Sequence, residues 1–395
     1  MRVLITAYIP SHFMQIVPLG WALRASGHQV VVAGMADVVA AAGAAGLPAV
    51  RIGTDGGFSA HVKPGHMAKD AVPAEYLTAR QLADRRPWDQ MGHWWRLLVQ
   101  DTNHLFTEFA EQWRPDLVVS EMDYNGLITG GLLGVPTVFH RWGPDLLAPM
   151  IHHHATGALH DICVDRGLPG GFPAPDLTLD PCPPSLQFEG LPAATHFRYA
   201  PYNGVGTVPE WAPATAKRGP RIAVSLGMLG AQTMHEDWSR SLIGTIGAAV
   251  AGFEDAEVIL PLGTDAADRL GALPPSFRLV DPAPLNLFMD TCDLVIHHGG
   301  AGTCLTAASF GVPQLVLAQQ HPAYVGCAEQ IAGTGAGIAL HHDSVTTDPS
   351  GVGTAVEALL RDRRYRDSAN DLAVGMAGLP SVNDMVGPLE ELAGR

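Results

Sequence analysis

The sequence predicts an α/β protein built from two Rossmann-like domains whose parallel sheets face a central cleft. Three observations carry that prediction. Short β-branched runs alternate with helical patterns along nearly the whole chain, as helices covering both faces of a parallel sheet require. The length of 395 residues exceeds one ordinary core. A Pro- and Gly-dense stretch near the middle then divides the strands into two sets.

In the first set the predicted strands are Val3–Ile5, Val30–Ala33, Leu117–Ser120 and Thr137–His140. In the second they are Arg221–Ser225, Glu257–Leu260, Arg278–Val280, Leu294–His297 and Gln314–Leu317. Asp180 to Ser185 and Pro201 to Pro220 are loop-rich. We therefore expect an N-terminal domain over 1–204, a linker over 205–219 and a C-terminal domain over 220–378. A closing helix within 379–395 is expected to pack back toward the first domain. Ligands of such sheets sit outside the carboxyl ends of the strands, here in the cleft. The helical segment from His93 to Trp113 carries apolar residues at Trp94, Leu98, Leu105 and Phe109, a spacing that reads as a core-facing stripe.

Bulk properties narrow the function. A hydrophobic content of 47% with 16% charged residues is globular and rather apolar. A net charge of −15 argues against nucleic acid or an anionic membrane as partner. It also means that a polyphosphate would have to be held by local donors. The five cysteines (Cys163, Cys182, Cys292, Cys304 and Cys327) lack C-x-x-C spacing, which suits a reducing cytoplasm without a zinc site or disulfide framework. Met1-Arg2-Val-Leu-Ile leads straight into a strand, so no signal peptide is expected. No apolar run approaches the ~20 residues that span a bilayer.

The run Leu294-Val-Ile-His-His298-Gly-Gly-Ala-Gly302-Thr303 is the most informative. A buried strand feeds Gly299, Gly300 and Gly302, and a short helix follows that Gly311 stops. Such a turn is a ready anion site, because unpaired helix N–H groups and the helix dipole both favour negative charge. His298 adds a side-chain donor. No Gly-Lys-Ser/Thr follows, so this is not a nucleoside-triphosphate loop, and the G-x-G-x-x-G spacing of dinucleotide binding is absent. The bland alternative is tight strand-to-helix packing.

The first strand has no glycine loop either. It runs into Thr6-Ala-Tyr-Ile-Pro10-Ser-His12, which places His12 in the first strand-to-helix loop, with Tyr8, Phe13 and Met14 as apolar neighbours for a hydrophobic ligand. A loop histidine alone is more often a solvated or capping residue. His152-His153-His154 has no carboxylate or cysteine at ligand spacing and reads as a polar loop. No Asp-x-Asp is present to hold a divalent ion against a diphosphate; Glu121-Met-Asp123 comes nearest. No metal site is expected.

With these residues in place, the chain resembles the inverting, family 1-like glycosyltransferases of the GT-B fold that attach nucleotide-activated deoxysugars to antibiotic polyketides. Within that group it is similar to actinobacterial enzymes of macrolide, spinosyn and anthracycline-like aglycones. The motifs that carry the likeness span the whole chain. They are Ser11-His12, Val17-Pro18-Leu19, His140-Arg-Trp-Gly143, Asp180 to Gln187, Tyr199 to Gly204, Pro284 to Phe288, His298 to Thr303 and Gly311 to Leu317.

The resemblance implies a role for each matching residue. His12 would be the general base that takes the acceptor hydroxyl proton, oriented by Glu121 or Asp123. His298, Gly299, Gly300, Gly302 and Thr303 would face the donor phosphates, with Ser225 and Gly227 in a second loop. Pro282, Ala283 and Leu285 would lie in the segment that holds the nucleobase, with Pro282 where many relatives have a stacking Trp. Tyr8, Phe13, Met14 and Trp142 would line the acceptor. The co-substrate would be a TDP-deoxysugar, the acceptor an apolar aglycone, and no metal or other cofactor is implied. Oligomeric state stays open between monomer and homodimer, as does dependence on an activator protein.

One departure stands out. Relatives commonly place an acidic residue and Gln after the next strand, where they bond sugar hydroxyls; this chain has Pro322-Ala323 there, preceded by Gln319-Gln320-His321. A hydroxyl-poor donor such as a 2,6-dideoxy or amino sugar, with Gln320 or His321 as substitutes, would tolerate the change. A non-catalytic accessory subunit, or a sugar-nucleotide epimerase of the same architecture, are the other readings.

Overall fold

A computed structural model describes residues 1–53, 76–213, 218–225, 236–262 and 273–394. The first half runs β1 (Arg2–Thr6), α1 (Pro10–Ala25), β2 (Gln29–Gly34), α2 (Ala36–Ala44), β3 (Ala49–Arg51), α3 (Ala79–Asp84) and α4 (Trp88–Trp113). It continues β4 (Leu117–Ser120), α5 (Tyr124–Leu133), β5 (Thr137–His140), α6 (Leu147–Asp165), β6 (Leu177–Asp180) and β7 (Thr195–His196). The second half runs β8 (Arg221–Ser225), α7 (Glu236–Val250), β9 (Glu257–Leu260), β10 (Phe277–Leu279), β11 (Leu294–His297), α8 (Ala301–Ser309), β12 (Gln314–Ala318) and α9 (Pro322–Thr334). It closes with β13 (Gly337–His341), α10 (Ser344–Thr347), α11 (Pro349–Arg361), α12 (Arg363–Ala377) and α13 (Val386–Leu392).

The strands form two sheets, in the orders β3-β2-β1-β4-β5-β6-β7 and β10-β9-β8-β11-β12-β13. Every pairing is parallel. In each sheet the strand order reverses once, between β1 and β4 and between β8 and β11. A crevice opens at such a reversal, because the connections on its two sides leave in opposite directions. The register is Thr6 opposite Ser120 in one sheet and Ser225 opposite His297 in the other. Residues that follow paired strands at these points are therefore brought together across long stretches of chain.

Each predicted strand is present, most with the expected bounds. Four short ones (β3, β6, β7 and β13) had no clear sequence signal. The stripe on α4 differs from expectation: Trp95, Leu98, Val99, Phe106 and Ala110 are buried, whereas Trp94, Leu105 and Phe109 are only partly so. The buried face is wider and rotated by about one residue, since α5 and α6 both pack on it. His152 to His154 lie in the helix α6 rather than in a loop, and His154 stacks on Trp88 with ring centroids 4.4 Å apart.

One hydrophobic core is shared by both halves. It joins Trp95, Tyr124, Trp142, Ile151 and Leu186 to Leu305, Val325, Cys327, Ile331 and Leu372. The chain also returns: Met385, Val386 and Leu389 at its end are buried against Phe13, Ile16, Val17 and Leu19 of the first half. Among the described residues no helix is long and apolar enough to cross a membrane.

Candidate active site

At the first reversal, His12 sits in the opening turn of α1 rather than in the loop before it, because Pro10 starts the helix early. Glu121 follows β4. Since β1 and β4 are paired, the two side chains meet although 109 positions separate them: Nδ1 of His12 is 2.7 Å from Oε1 of Glu121. Glu121 is fully buried, and the His12 side chain keeps 24% of its surface exposed. The Trp142 ring lies parallel to the imidazole at 5.1 Å and 8°. With Nδ1–H given to the carboxylate, the Nε2 lone pair remains for a proton in the cleft. Burial draws the His12 pKa down, but the charge and hydrogen bond of Glu121 outweigh it and leave the pKa raised.

Asp123 does something else. Its Oδ1 accepts the Asn125 N–H at 3.1 Å and caps α5. Burial raises its carboxyl to about 7, against the lowering by Asn125. Of the two acids named as orienters, Glu121 alone contacts His12.

The other predicted acceptor residues separate by burial. Trp142 is held by its neighbours: Arg141 donates to Asp180 at 3.0 Å and to the Pro192 carbonyl at 2.8 Å, and Gln187 donates to the Gly143 carbonyl at 3.0 Å. Tyr8 is partly exposed and stands edge-on to Trp94 at 6.0 Å. Met14 is partly exposed and points toward Gly204. Phe13 is a correction. It is wholly buried in the core under β1, because position 13 falls on the inner face of α1, and it offers a ligand no surface.

At the second reversal, β11 ends in His297 and the turn follows. His297 is internal; its Nε2–H donates to Oε1 of Gln314 at 2.9 Å and its Nδ1 accepts the Gly299 N–H at 3.2 Å. Burial, and then the neighbouring His298, lower its pKa to about 3. The sequence reading had not singled it out. Gly299 adopts φ +98°, and a Cβ there would meet the Tyr324 carbonyl at 2.7 Å. Only glycine satisfies both conditions. A Cβ on Gly300 would press on Nε2 of His298 at 2.7 Å.

Gly300 is the N-cap of α8, so the N–H groups of Ala301, Gly302 and Thr303 have no partner within the helix. His298 donates from Nδ1 to the Ser225 carbonyl at 3.5 Å, and Ser225 Oγ lies 3.4 Å from Thr303 Oγ1. Burial lowers the His298 pKa, with the Ser225 contact opposing. Gly227 lies outside the described residues.

Gln15 was missed by the sequence reading. It is three residues after His12 on the same face of α1. Its Nε2 would be 3.1 Å from a Cβ on Gly302, so the first half touches the glycine turn of the second. Oε1 of Gln15 is buried without a partner. Its spacing from His12 was the available signal. Asn203 makes a second crossing, accepting the Asn286 N–H at 3.0 Å and donating to Thr306 at 3.1 Å.

In the segment expected to hold a base, Pro282 is exposed, Ala283 half-buried, and Leu285 is 8% exposed within a core with Phe288. Pro322 and Ala323 are the first residues of α9, whose N-cap is His321. Nε2 of His321 is 3.1 Å from Nη1 of Arg86, which comes from the first half. Burial, and then the Arg86 charge, lower the His321 pKa to about 3. Both amide atoms of Gln320 are buried without a partner. Among the described residues, the cluster with metal-ligand spacing is His341, His342 and Asp343, and its side chains already pair with one another.

The chain is similar to known proteins over its whole length. Residues 21–227 match the N-terminal domain, and residues 245–392 the C-terminal domain, of the family described as erythromycin biosynthesis protein CIII-like. The chain is 31% identical over 432 residues to the TDP-daunosamine transferase DnrS of Streptomyces peucetius, covering 100% of this chain and 97% of the other. It is 32% identical over 390 residues to the L-demethylnoviosyl transferase of Streptomyces niveus, covering 96% and 95%. Among solved structures, the spinosyn rhamnosyltransferase SpnG complexed with thymidine diphosphate superposes with a TM-score of 0.84 at 32% identity, over 99% of this chain and 100% of that one.

Proposed function

The chain belongs to the erythromycin biosynthesis protein CIII-like family, GT-B deoxysugar glycosyltransferases of antibiotic biosynthesis, and we propose that it is an inverting, metal-independent member using a TDP-deoxysugar and a hydrophobic polyketide-type aglycone. One observation carries the reading. A His–Glu pair with an available Nε2 stands at the strand reversal of one sheet, and a glycine turn opening α8 stands at the reversal of the other, with Gln15 reaching between them.

The step is a single displacement. Nε2 of His12 takes the acceptor O–H proton while that oxygen attacks the anomeric carbon. The bond from that carbon to the phosphate oxygen breaks on the opposite face, so configuration inverts. Glu121 stabilises the imidazolium that forms. The first-turn N–H groups of α8 and His298 face the charge that develops on the departing diphosphate. For His298 to donate from Nε2, that nitrogen must carry a proton, and the arriving negative charge favours it.

Melting in the presence of TDP, UDP and NAD tests the donor assignment. A ligand at ~100 times its dissociation constant stabilises the folded state by roughly 2.7 kcal/mol. We expect TDP to exceed UDP and NAD to have no effect, with transfer unchanged by chelators. TDP binding without transfer to any aglycone would favour the accessory-subunit reading, which Pro322-Ala323 keeps in view. No shift with TDP would overturn the donor site.

A further inference from the structure

Gln187, in the loop between β6 and β7, uses its whole amide on a turn of the chain that stands far from it in sequence. Its Oε1 accepts the Asp145 N–H at 2.9 Å and the Phe188 N–H at 3.0 Å. Its Nε2 donates to the Gly143 carbonyl and to Oδ2 of Asp180, both at 3.0 Å. Exchanging the amide oxygen and nitrogen would set oxygen against a carbonyl and a carboxylate, so the orientation is fixed. One side chain therefore holds both ends of the turn from Gly143 to Asp145. Asp180 anchors the clamp in turn: it is fully buried and also accepts from Arg141 at 3.0 Å and from the Cys182 N–H at 2.9 Å.

The clamped turn touches both parts of the site. Trp142, which leads into it, lies parallel to the His12 ring, and His12 feels the charge of the buried Asp145. On the other side Gly143 packs on the opening residue of α8, where a Cβ on Gly143 would be 2.7 Å from Cβ of Ala301. The hydrogen bond to Glu121 holds the His12 ring at Nδ1 alone. A ring held at one atom can still tilt about that atom and swing Nε2. The parallel indole face removes that freedom, provided that the indole itself is held.

We propose that Gln187 is a positioning residue of the transfer reaction: by clamping the turn it keeps the Trp142 indole against His12 and so aims Nε2 at the acceptor hydroxyl. The inference rests on His12 as the base and adds a residue that acts on it without touching either substrate. Catalytic groups work only within a narrow window of geometry, which the residues behind them must hold.

NMR of protein labelled with carbon-13 at histidine Cε1 tests this, the His12 signal being the one that His12→Ala removes. On the alkaline plateau of its titration, Trp142→Leu should displace that signal, because leucine has no ring current. Gln187→Ala should displace it in the same direction. Gln187→Met, which keeps the bulk and loses the hydrogen bonds, should do likewise, and both should bind TDP as the unaltered protein does. Their kcat, read with the TDP-deoxysugar and aglycone that the unaltered protein turns over, should fall about ten- to a hundredfold. A fall in kcat with the His12 signal in place would make Gln187 a purely structural residue and overturn the proposal. So would a full kcat in both variants. Either result leaves His12 standing as the base, whereas wild-type turnover by His12→Ala would overturn the base and this inference with it.

Discussion

Two histidines stand at the strand reversals of the two sheets and are tuned in opposite directions. His12 lies in the first turn of the helix after β1 and His298 directly after β11, and burial acts to lower the pKa of both. What differs is the residue at the end of the paired strand. After β4 comes Glu121, whose charge raises His12 despite its burial. At the end of β8 stands Ser225, which offers only a carbonyl oxygen to His298. The backbone supplies two similar crevices, and one side chain decides which holds a base of raised pKa and which a histidine whose proton on the second nitrogen arrives with the diphosphate charge.

The sharpest way to break this contrast is His12→Ala. We expect kcat to fall by about 10²–10⁴ with TDP affinity nearly intact. Wild-type turnover would remove His12 as the base. His298→Ala should cost about 10²–10³ in kcat and also weaken TDP binding, a double loss that His12→Ala does not share. Equal effects of the two variants on TDP affinity would erase the division of labour.

Glu121→Gln should be milder. Loss of a charged hydrogen bond of about 1.5–3 kcal/mol corresponds to roughly ten- to a hundredfold in rate. The sign of its pH effect is fixed. His12 works as the neutral imidazole, so the acid limb of kcat/KM follows its raised pKa. Removing Glu121 leaves burial, which lowers the pKa, opposed by the smaller effect of the Asp145 charge, and the limb should move to lower pH. A limb that stays in place would mean another group titrates. Asp123→Asn should do least: Asn caps helices as well as Asp does, so stability should change by under about 0.5 kcal/mol and the acid limb not at all.

The strands and the glycine turn were legible because they are local patterns: apolar runs of three to five residues followed by turn or helix signals. β3 and β7 were not, being three and two residues long and defined by pairing rather than by hydrophobicity. The pair Glu121/Asp123 was visible, but its division into orienter and cap depends on which side chain faces across β1. Phe13 shows the same limit, because two adjacent positions on one helix can face core and cleft. Gln15 and Arg86 were invisible for a different reason. Their partners, Gly302 and His321, lie in the other half of the chain, and no local pattern records a contact across a cleft.

The chain end buried in the first half gives the molecule two tethers instead of one. A protease cut between residues 205 and 213 would sever a covalent connection yet leave fragments expected to elute together, since Met385, Val386 and Leu389 remain seated under α1. Deleting residues 379–394 would remove one tether and leave an oily slot beside Leu19, with self-association as its first visible symptom.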